Sequence, residues 1–291
     1  NFKEIKRLNA AEISTINHKE ISSTTYWNRS NIPIKSKITE EDIDELYDKF
    51  VEIIRTRLQN QDEAICFLSG GLDSRAIVSQ LSSYNIDIHS FNFSTYHSKD
   101  NEYAAQLAQK LGLKHSKLIL KKLYFPNWST LISEAIKNKK INSAKNGPTF
   151  VWSGDGGSVC LGGVYLTENV LDLLSKNDID GALKNIINDN NLDKRNKFLR
   201  SDVNTFIQEH TISSIRQSLS DNHNEPQKAM YDYLVNNDQK RHLDEHFATI
   251  AEHKIDLLLP FFDSEFLDLI YALPNEQLLK HKLYMKWFYR F

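Results

Sequence analysis

The residues of this chain that most clearly indicate chemistry form a short glycine-containing loop, Ser69-Gly70-Gly71-Leu72-Asp73-Ser74. The glycines permit a tight turn, the serine hydroxyls can donate hydrogen bonds, and a helix beginning there would direct its positive end at an anion. This combination predicts a phosphate site. Because the Asp73 carboxylate would repel phosphates unless a cation lay between them, we expect Asp73 to bind the Mg²⁺ of a metal–nucleotide complex.

A simpler interpretation makes Ser-Gly-Gly an ordinary turn and Asp73 a first-turn carboxylate favoured by the helix dipole. At average residue frequencies, the string S-G-G-x-D-S would arise by chance in roughly one such chain in a few thousand. The loop also follows Ala64 to Leu68, a continuous apolar run typical of a strand covered on both faces. This context favours the phosphate site.

Strands and helices alternate around the loop. Thr39 with Asp42 forms a capping-box pattern that begins a helix ending near Leu58. Further predicted elements are a helix after the loop, a strand from Ile86 to Phe93, a helix from Glu102 to Leu111, and strands from His115 to Leu120 and Thr149 to Trp152. This order predicts an α/β fold with a parallel sheet. Beyond Val164 strand signals are almost absent, so we expect a helical C-terminal half, whereas residues 1–38 read as a linker or peripheral strands.

A second glycine-rich turn, Ser153-Gly154-Asp155-Gly156-Gly157, follows the last of these strands. Two such loops therefore end on predicted strands, at the sheet edge where open α/β folds bind their ligands.

Composition narrows the classes of partner. The 291 residues suffice for one large or about two ordinary domains, and 36 basic against 38 acidic residues give a net charge of −2. Such a balance does not favour nucleic acid or an anionic membrane. Cys66 and Cys160 lie in apolar stretches without metal-ligand spacing, which is typical of a reduced, cytoplasmic protein. No apolar run approaches the length of about 20 residues that a membrane span needs.

The string Leu68 to Ser74 resembles the pyrophosphate-binding loop of the N-type ATP pyrophosphatases, the PP-loop superfamily, and within them that of the asparagine synthetases. Similar segments continue over roughly residues 45 to 290, namely His89 to Phe93, Ala104 to Gly112, Trp152 to Gly157 and Leu259 to Asp263. The resemblance implies a parallel sheet sandwiched by helices, with residues 41–291 as the synthetase-like domain. Lys3 to Leu8 and Tyr26-Trp27 resemble the family's connector, so residues 1–40 would follow a glutaminase-type domain that precedes this chain.

The resemblance also implies an activity. Such domains use ATP and Mg²⁺ to adenylate a carboxylate, release pyrophosphate and pass the acyl group to ammonia or an amine. The nucleotide would lie on Leu68, Ser69, Gly70, Gly71, Asp73, Ser74, Phe93, Ser153 and Gly154, and the catalytic residues would be Asp155 and Lys286. Ordinary core packing accounts equally well for Leu68 and Phe93. The expected partners are a small carboxylate, an amine donor and a glutaminase domain or subunit, and a homo-oligomer is left open.

The second loop departs from the family's S-G-E-G-x-D pattern, because Asp155 replaces the glutamate and Ser158 the aspartate. Lys286 fits the family's K-x-x-x-R spacing with Arg290, although Lys280 and Lys282 lie close by. These departures leave three alternatives: a nucleotide-binding module without turnover, a lactam or peptide cyclase of the same family, and a tRNA-modifying relative. The neutral charge and the lack of paired catalytic cysteines disfavour the last.

Overall fold

The computed structural model describes residue 8 and residues 11–59, 61–95, 98–120, 127–138, 148–189, 199–220 and 225–291. Its strands are β1 (Glu12–Ile16), β2 (Ile21–Thr25), β3 (Glu63–Phe67), β4 (Asp87–Ser94), β5 (Lys114–Ile119), β6 (Thr149–Trp152) and β7 (Ile255–Leu258). Its α-helices are α1 (Glu40–Leu58), α2 (Leu72–Ser82), α3 (Lys99–Lys110), α4 (Trp128–Asn138), α5 (Gly157–Cys160), α6 (Glu168–Ser175), α7 (Ile179–Asp189), α8 (Ser201–Ser220), α9 (Pro226–Tyr233), α10 (Lys240–Phe247), α11 (Ser264–Tyr271) and α12 (Lys282–Phe288). A π-helix, Leu234–Gln239, joins α9 to α10.

Five parallel strands form the central sheet in the order β5-β4-β3-β6-β7. From β3 the chain adds β4 and β5 on one side, then crosses to place β6 on the other, so the strand order reverses between β3 and β6. Ligands of open α/β sheets bind at this kind of switch point, at the carboxyl ends of the strands. The predicted α/β fold is confirmed.

The elements predicted up to Trp152 are present with shifts of a few residues at their ends. The capping box of α1 is formed as predicted, with the Asp42 N–H donating to Thr39 Oγ1 and the Thr39 N–H to Asp42 Oδ2. The expectation of almost no strands beyond Val164 missed β7, and α4 was not predicted. β7 has only four residues and runs into Leu259 and Pro260, so its apolar stretch is too short to show a period.

Helices cover both faces of the sheet because successive strand residues point to opposite sides. On β3, Ala64 and Cys66 join the core formed with α1 and α2. Ile65, between them, joins a second core with Ile132 and Ile136 of α4. Buried residues on both sides explain why β3 reads as a continuous apolar run.

The C-terminal elements close the first core through an aromatic cluster around Phe50 of α1. Its ring lies 4.9 Å from that of Phe261 and 5.0 Å from that of Trp287, centroid to centroid. Phe266 and Phe291 pack against the same ring at 5.5 and 5.9 Å. These contacts fix α12 beside α1, and thereby beside the end of the sheet.

The N-terminal segment includes a two-stranded antiparallel sheet, β1 with β2, which agrees with the expectation of peripheral strands. Arg29 then ties the segment to the helical half, donating to Asp232 at 3.1 Å and to Asp268 at 3.2 Å. Of the connector-like residues, Lys3 to Arg7 lie outside the described residues. The role of residues 1–40 as a connector stays a prediction.

Lys228 of α9 is a buried cation. Only 2% of its surface is exposed, and its ammonium donates to the Leu273 carbonyl and, at 2.9 Å, to Asn275 Oδ1. Burial lowers the pKa of Lys228 from 10.5 to about 8, although nearby carboxylates oppose the shift. A folded-state pKa below the unfolded value means that the charged form weakens the fold.

We predict that Lys228 makes the protein more stable as pH rises from 8 to 10.5. In this window the unfolded chain binds more protons than the folded one, so the free energy of unfolding increases. At about 1.4 kcal/mol per pKa unit, the shift amounts to about 3 kcal/mol. Urea unfolding across this range should show the wild type gaining stability relative to Lys228→Met, with exposed Lys137→Met as the matched control. Equal pH slopes for wild type and Lys228→Met would contradict the assignment.

Candidate functional site

Two glycine loops lie side by side at the carboxyl edge of the sheet. The first, residues 69–74, follows β3, and the second, residues 153–158, follows β6. β3 and β6 are adjacent parallel strands, with Cys66 opposite Trp152 in their register. Parallel neighbours end at the same edge, so the sheet itself brings together two loops that lie far apart in sequence.

The first loop is held by its own serines. The Ser69 N–H donates to Ser74 Oγ at 2.9 Å, and the Gly71 N–H donates to Ser69 Oγ at 3.1 Å. Arg75 is half-buried, and its Nε donates to the Gly71 carbonyl at 3.0 Å. The Gly70 N–H donates to Asp100 Oδ1 at 3.0 Å. The N–H groups of both glycines therefore already donate to side-chain oxygens. A phosphate oxygen could accept hydrogen bonds from the same N–H groups.

Asp73 links the first loop to two other parts of the chain. Its carboxylate accepts from the Ser158 N–H at 3.1 Å and from Ser158 Oγ at 3.0 Å. It also accepts from the hydroxyl of Tyr284 on α12. Burial raises the pKa of Asp73, while these three donors lower it. Burial and the adjacent Asp73 carboxylate raise the pKa of Tyr284, so the phenol keeps its proton and can donate.

The two loops touch through their backbones, which explains two of the glycines. A Cβ at Gly154 would stand 2.6 Å from the Ser74 nitrogen, and a Cβ at Gly157 would stand 2.6 Å from Asp73 Cγ. Both distances are far below van der Waals contact, and the atoms they meet are anchored. Any larger residue at either position would therefore force the loops apart.

Asp155 is the second carboxylate of the site. Its Oδ2 accepts from the Ser153 hydroxyl within the same loop. It faces the same cavity as Asp73, and its charge contributes to raising the pKa of Asp73. Two carboxylates that repel each other across one cavity favour a cation between them.

The cavity at this edge encloses about 510 Å³. Its polar end is formed by the two loops, and its other end is aromatic. The aromatic end comprises Phe67, Phe91, Phe93, Trp128 and Phe247, with His242 and His246 beside them. Phe93 and Trp128 pack edge to face, with their ring centroids 5.9 Å apart.

The structure brings most of the predicted site residues together. Those lining the cavity are Leu68, Ser69, Gly71, Asp73, Ser74, Phe93, Ser153, Gly154 and Asp155. Gly70 belongs to the same loop without lining the cavity. Lys286 does not line it: α12 buries Leu283, Tyr284 and Trp287, and Lys286 lies exposed on the opposite side of this helix. The catalytic role expected for Lys286 stays a prediction that this arrangement does not support.

Sequence reasoning missed Tyr284, Trp128 and the histidines of α10. His242 and His246 are four residues apart, so their positions on one helix face could have been read from the sequence. No local pattern marks Tyr284, because its importance depends on a contact 211 residues away in the chain.

The fit of Mg²⁺ to the two carboxylates can be judged from their partners. A carboxylate offers about four acceptor positions, and three donors already occupy those of Asp73. Asp155 has more acceptor capacity left, and Mg²⁺ commonly takes one or two carboxylates plus phosphate oxygens and water. Among the described residues no group of three or more His, Cys, Asp or Glu could hold a metal. Asp155 and the one acceptor position left on Asp73 would together suit a Mg²⁺ ion that is already bound to the nucleotide.

The model of the asparagine synthase family matches residues 45–290 of this chain. Among solved structures, the chain is similar to the NH3-dependent NAD synthetase from Campylobacter jejuni subsp. jejuni NCTC 11168, in complex with the nitrate ion. The two share 16% identity over 59% of this chain and 94% of the other, with a TM-score of 0.27, a likeness too weak to bear on the site. No curated protein sequence matches this chain. In the described part of the chain, no helix is long and apolar enough to cross a membrane.

We predict that Tyr284→Phe destabilises the protein by about 1–3 kcal/mol, because it leaves the partly buried Asp73 carboxylate short of a donor without changing the ring packing. Chemical denaturation measures the difference. Tyr289→Phe is the matched control, since this tyrosine follows the same helix and is 76% exposed. If both variants unfold at the same denaturant concentration, the Tyr284–Asp73 hydrogen bond does not stabilise the site as described.

Proposed function

This chain belongs to the asparagine synthase family, and from that premise we propose that it is an ATP-dependent carbon–nitrogen ligase that adenylates a carboxylate and transfers the acyl group to ammonia or an amine. The observation that carries the proposal is the meeting of the two glycine loops around Asp73 and Asp155. Phosphate-binding groups and carboxylates thus face a single cavity of nucleotide size.

The first loop suits the pyrophosphate portion of ATP. The N–H groups of Gly70 and Gly71 and the hydroxyls of Ser69 and Ser74 lie at the N-terminus of α2, whose dipole favours an anion. Phosphate oxygens would replace the Asp100 and Ser69 oxygens that now accept from the glycines. Because the second loop fixes Asp73, the first loop would exchange these hydrogen bonds while Asp73 itself stays in position.

The proposed reaction has two steps. A carboxylate oxygen of the substrate attacks the α-phosphorus of ATP. The bond between the α-phosphorus and the oxygen that bridges to the β-phosphate breaks, and pyrophosphate leaves with that electron pair. The amine nitrogen then attacks the acyl carbon of the mixed anhydride, and AMP leaves. Activation replaces one difficult displacement by two easier ones.

The chain's own residues have distinct roles in this scheme. Ser69 and Ser74 would hold the departing pyrophosphate, and Asp155 would accept the proton that the amine loses as it attacks. When bound, Mg²⁺ would neutralise charge on the phosphates, held by Asp155 and the remaining position of Asp73. The identity of the carboxylate is set by cavity walls that the family pattern does not specify, and asparagine is the prototype product.

A second candidate is a module that binds ATP without turnover. The observation that favours it is Ser158, which stands where the family has an aspartate and donates to Asp73 at 3.0 Å. Ser158 adds no negative charge and occupies part of the carboxylate that would otherwise meet the metal. A lactam or peptide cyclase is a variant of the leading proposal, in which the amine belongs to the same molecule as the carboxylate.

We expect the protein to catalyse exchange of labelled pyrophosphate into ATP when supplied with its carboxylate, in a screen of aspartate and other carboxylates. Asp155→Asn should lower exchange by about 100-fold or more if it holds the metal and the phosphates in place. Exposed Asp62→Asn is the matched control and should exchange as the wild type does.

Equilibrium binding of Mg–ATP, measured in parallel, separates the candidates. Binding without exchange for any carboxylate would favour the module without turnover, and absence of ATP binding would refute both. If Asp73→Asn exchanges as well as the wild type, Asp73 has no part in metal binding.

A further inference from the structure

The aromatic end of the cavity has a wall that no part of the proposed reaction uses. It is formed by Gln239 at the end of the π-helix, by His242 and His246 of α10, and by Trp128 at the start of α4. His242 and His246, four residues apart on α10, share one helix face, and Gln239 lines the same cavity, so the three residues form a single stripe toward it. Short π-helical segments within helices occur frequently at functional sites.

A series of neighbouring aromatic rings connects the sheet to this stripe. The centroid of Phe93 lies 6.0 Å from that of Phe67 and 5.9 Å from that of Trp128. Trp128 is in turn 6.5 Å from His246. Flat aromatic walls suit a flat ligand, whereas the hydroxyls and N–H groups at the other end suit phosphates. A nucleotide with its phosphates on the loops would therefore place its base against this wall.

The hydrogen bond of His246 defines which of its nitrogens carries the proton. Nδ1 lies 2.8 Å from the carbonyl oxygen of His242. A carbonyl can only accept, so Nδ1 must donate, and in the neutral ring Nε2 then has no proton. Nε2 is therefore an acceptor, on a half-buried side chain that lines the cavity.

We propose that His246 selects the base of the nucleotide, with Nε2 accepting a hydrogen bond from the exocyclic 6-amine of adenine. A base with a 6-oxo group, such as hypoxanthine or guanine, is disfavoured, because its 6-oxo oxygen and His246 Nε2 are both acceptors and cannot form a hydrogen bond with each other. A site built to bond an N–H group discriminates strongly against an analogue that lacks it, because its own polar group is left unpaired. The proposal rests on the proposed use of ATP and adds the residue that makes the site specific for adenine.

Inosine triphosphate is the sharpest probe, because it exchanges the 6-amine for a 6-oxo group without the 2-amino group of guanine. We expect the wild type to bind Mg–ATP at least about tenfold more tightly than Mg–ITP, one hydrogen bond's worth of discrimination. His246→Gln should reduce the ratio to near one, chiefly by strengthening ITP binding, because a side-chain amide can either accept or donate. His246→Phe keeps a ring but loses the acceptor, so it should reduce the ratio by weakening ATP binding.

Two controls separate recognition from structure. Exposed His210→Phe, on α8, should keep the wild-type ratio. Inorganic pyrophosphate should compete equally against the wild type and both His246 variants, because it occupies only the loop end. An unchanged ATP-to-ITP ratio in both His246 variants, with ATP still bound, would overturn this inference alone. If the wild type bound neither nucleotide, the proposed function itself would fall, and this inference with it.

Discussion

The hydrogen bonds of the partly buried Asp73 carboxylate are the contacts on which the arrangement of the site depends. Removing a carboxylate from water is unfavourable unless hydrogen bonds replace those lost. Here the donors come from Ser158, 85 residues later, and from Tyr284, 211 residues later. One short side chain therefore fixes the first loop, the second loop and α12 relative to one another. The glycines at 154 and 157 are the steric counterpart of this contact, because they leave room for Asp73.

Ser158 changes the electrostatics of this contact. A second carboxylate at that position would repel Asp73 and would need a cation to hold the loops together. The serine instead donates to Asp73, so the loops are joined without a metal. Asp155 then becomes the carboxylate with more acceptor capacity toward the cavity, which shifts the centre of any metal site toward the second loop.

The cavity combines two environments whose sources differ. The polar end is built from backbone and small side chains at the ends of two adjacent strands, so it follows from strand order. The aromatic end is assembled from β3, β4, α4 and α10, whose side chains meet only after the helices pack on the sheet. Such a division lets a polar edge that follows from strand order coexist with aromatic walls that depend on helix packing.

The sequence by itself determined the features that depend on near neighbours along the chain. These include the capping box of Thr39, the buried strand before the loop, the glycine turns and the parallel α/β order, and a family model independently matches the span of the resemblance. It gave no sign of β7, whose four residues show no period, and it favoured Lys286 only through the resemblance to the family's K-x-x-x-R pattern. Only the tertiary structure decided that Lys286 lies exposed, that Tyr284 reaches Asp73 and that His246 faces the cavity. Short-range patterns record the geometry of single elements, whereas burial and hydrogen-bond partners depend on which distant elements pack together.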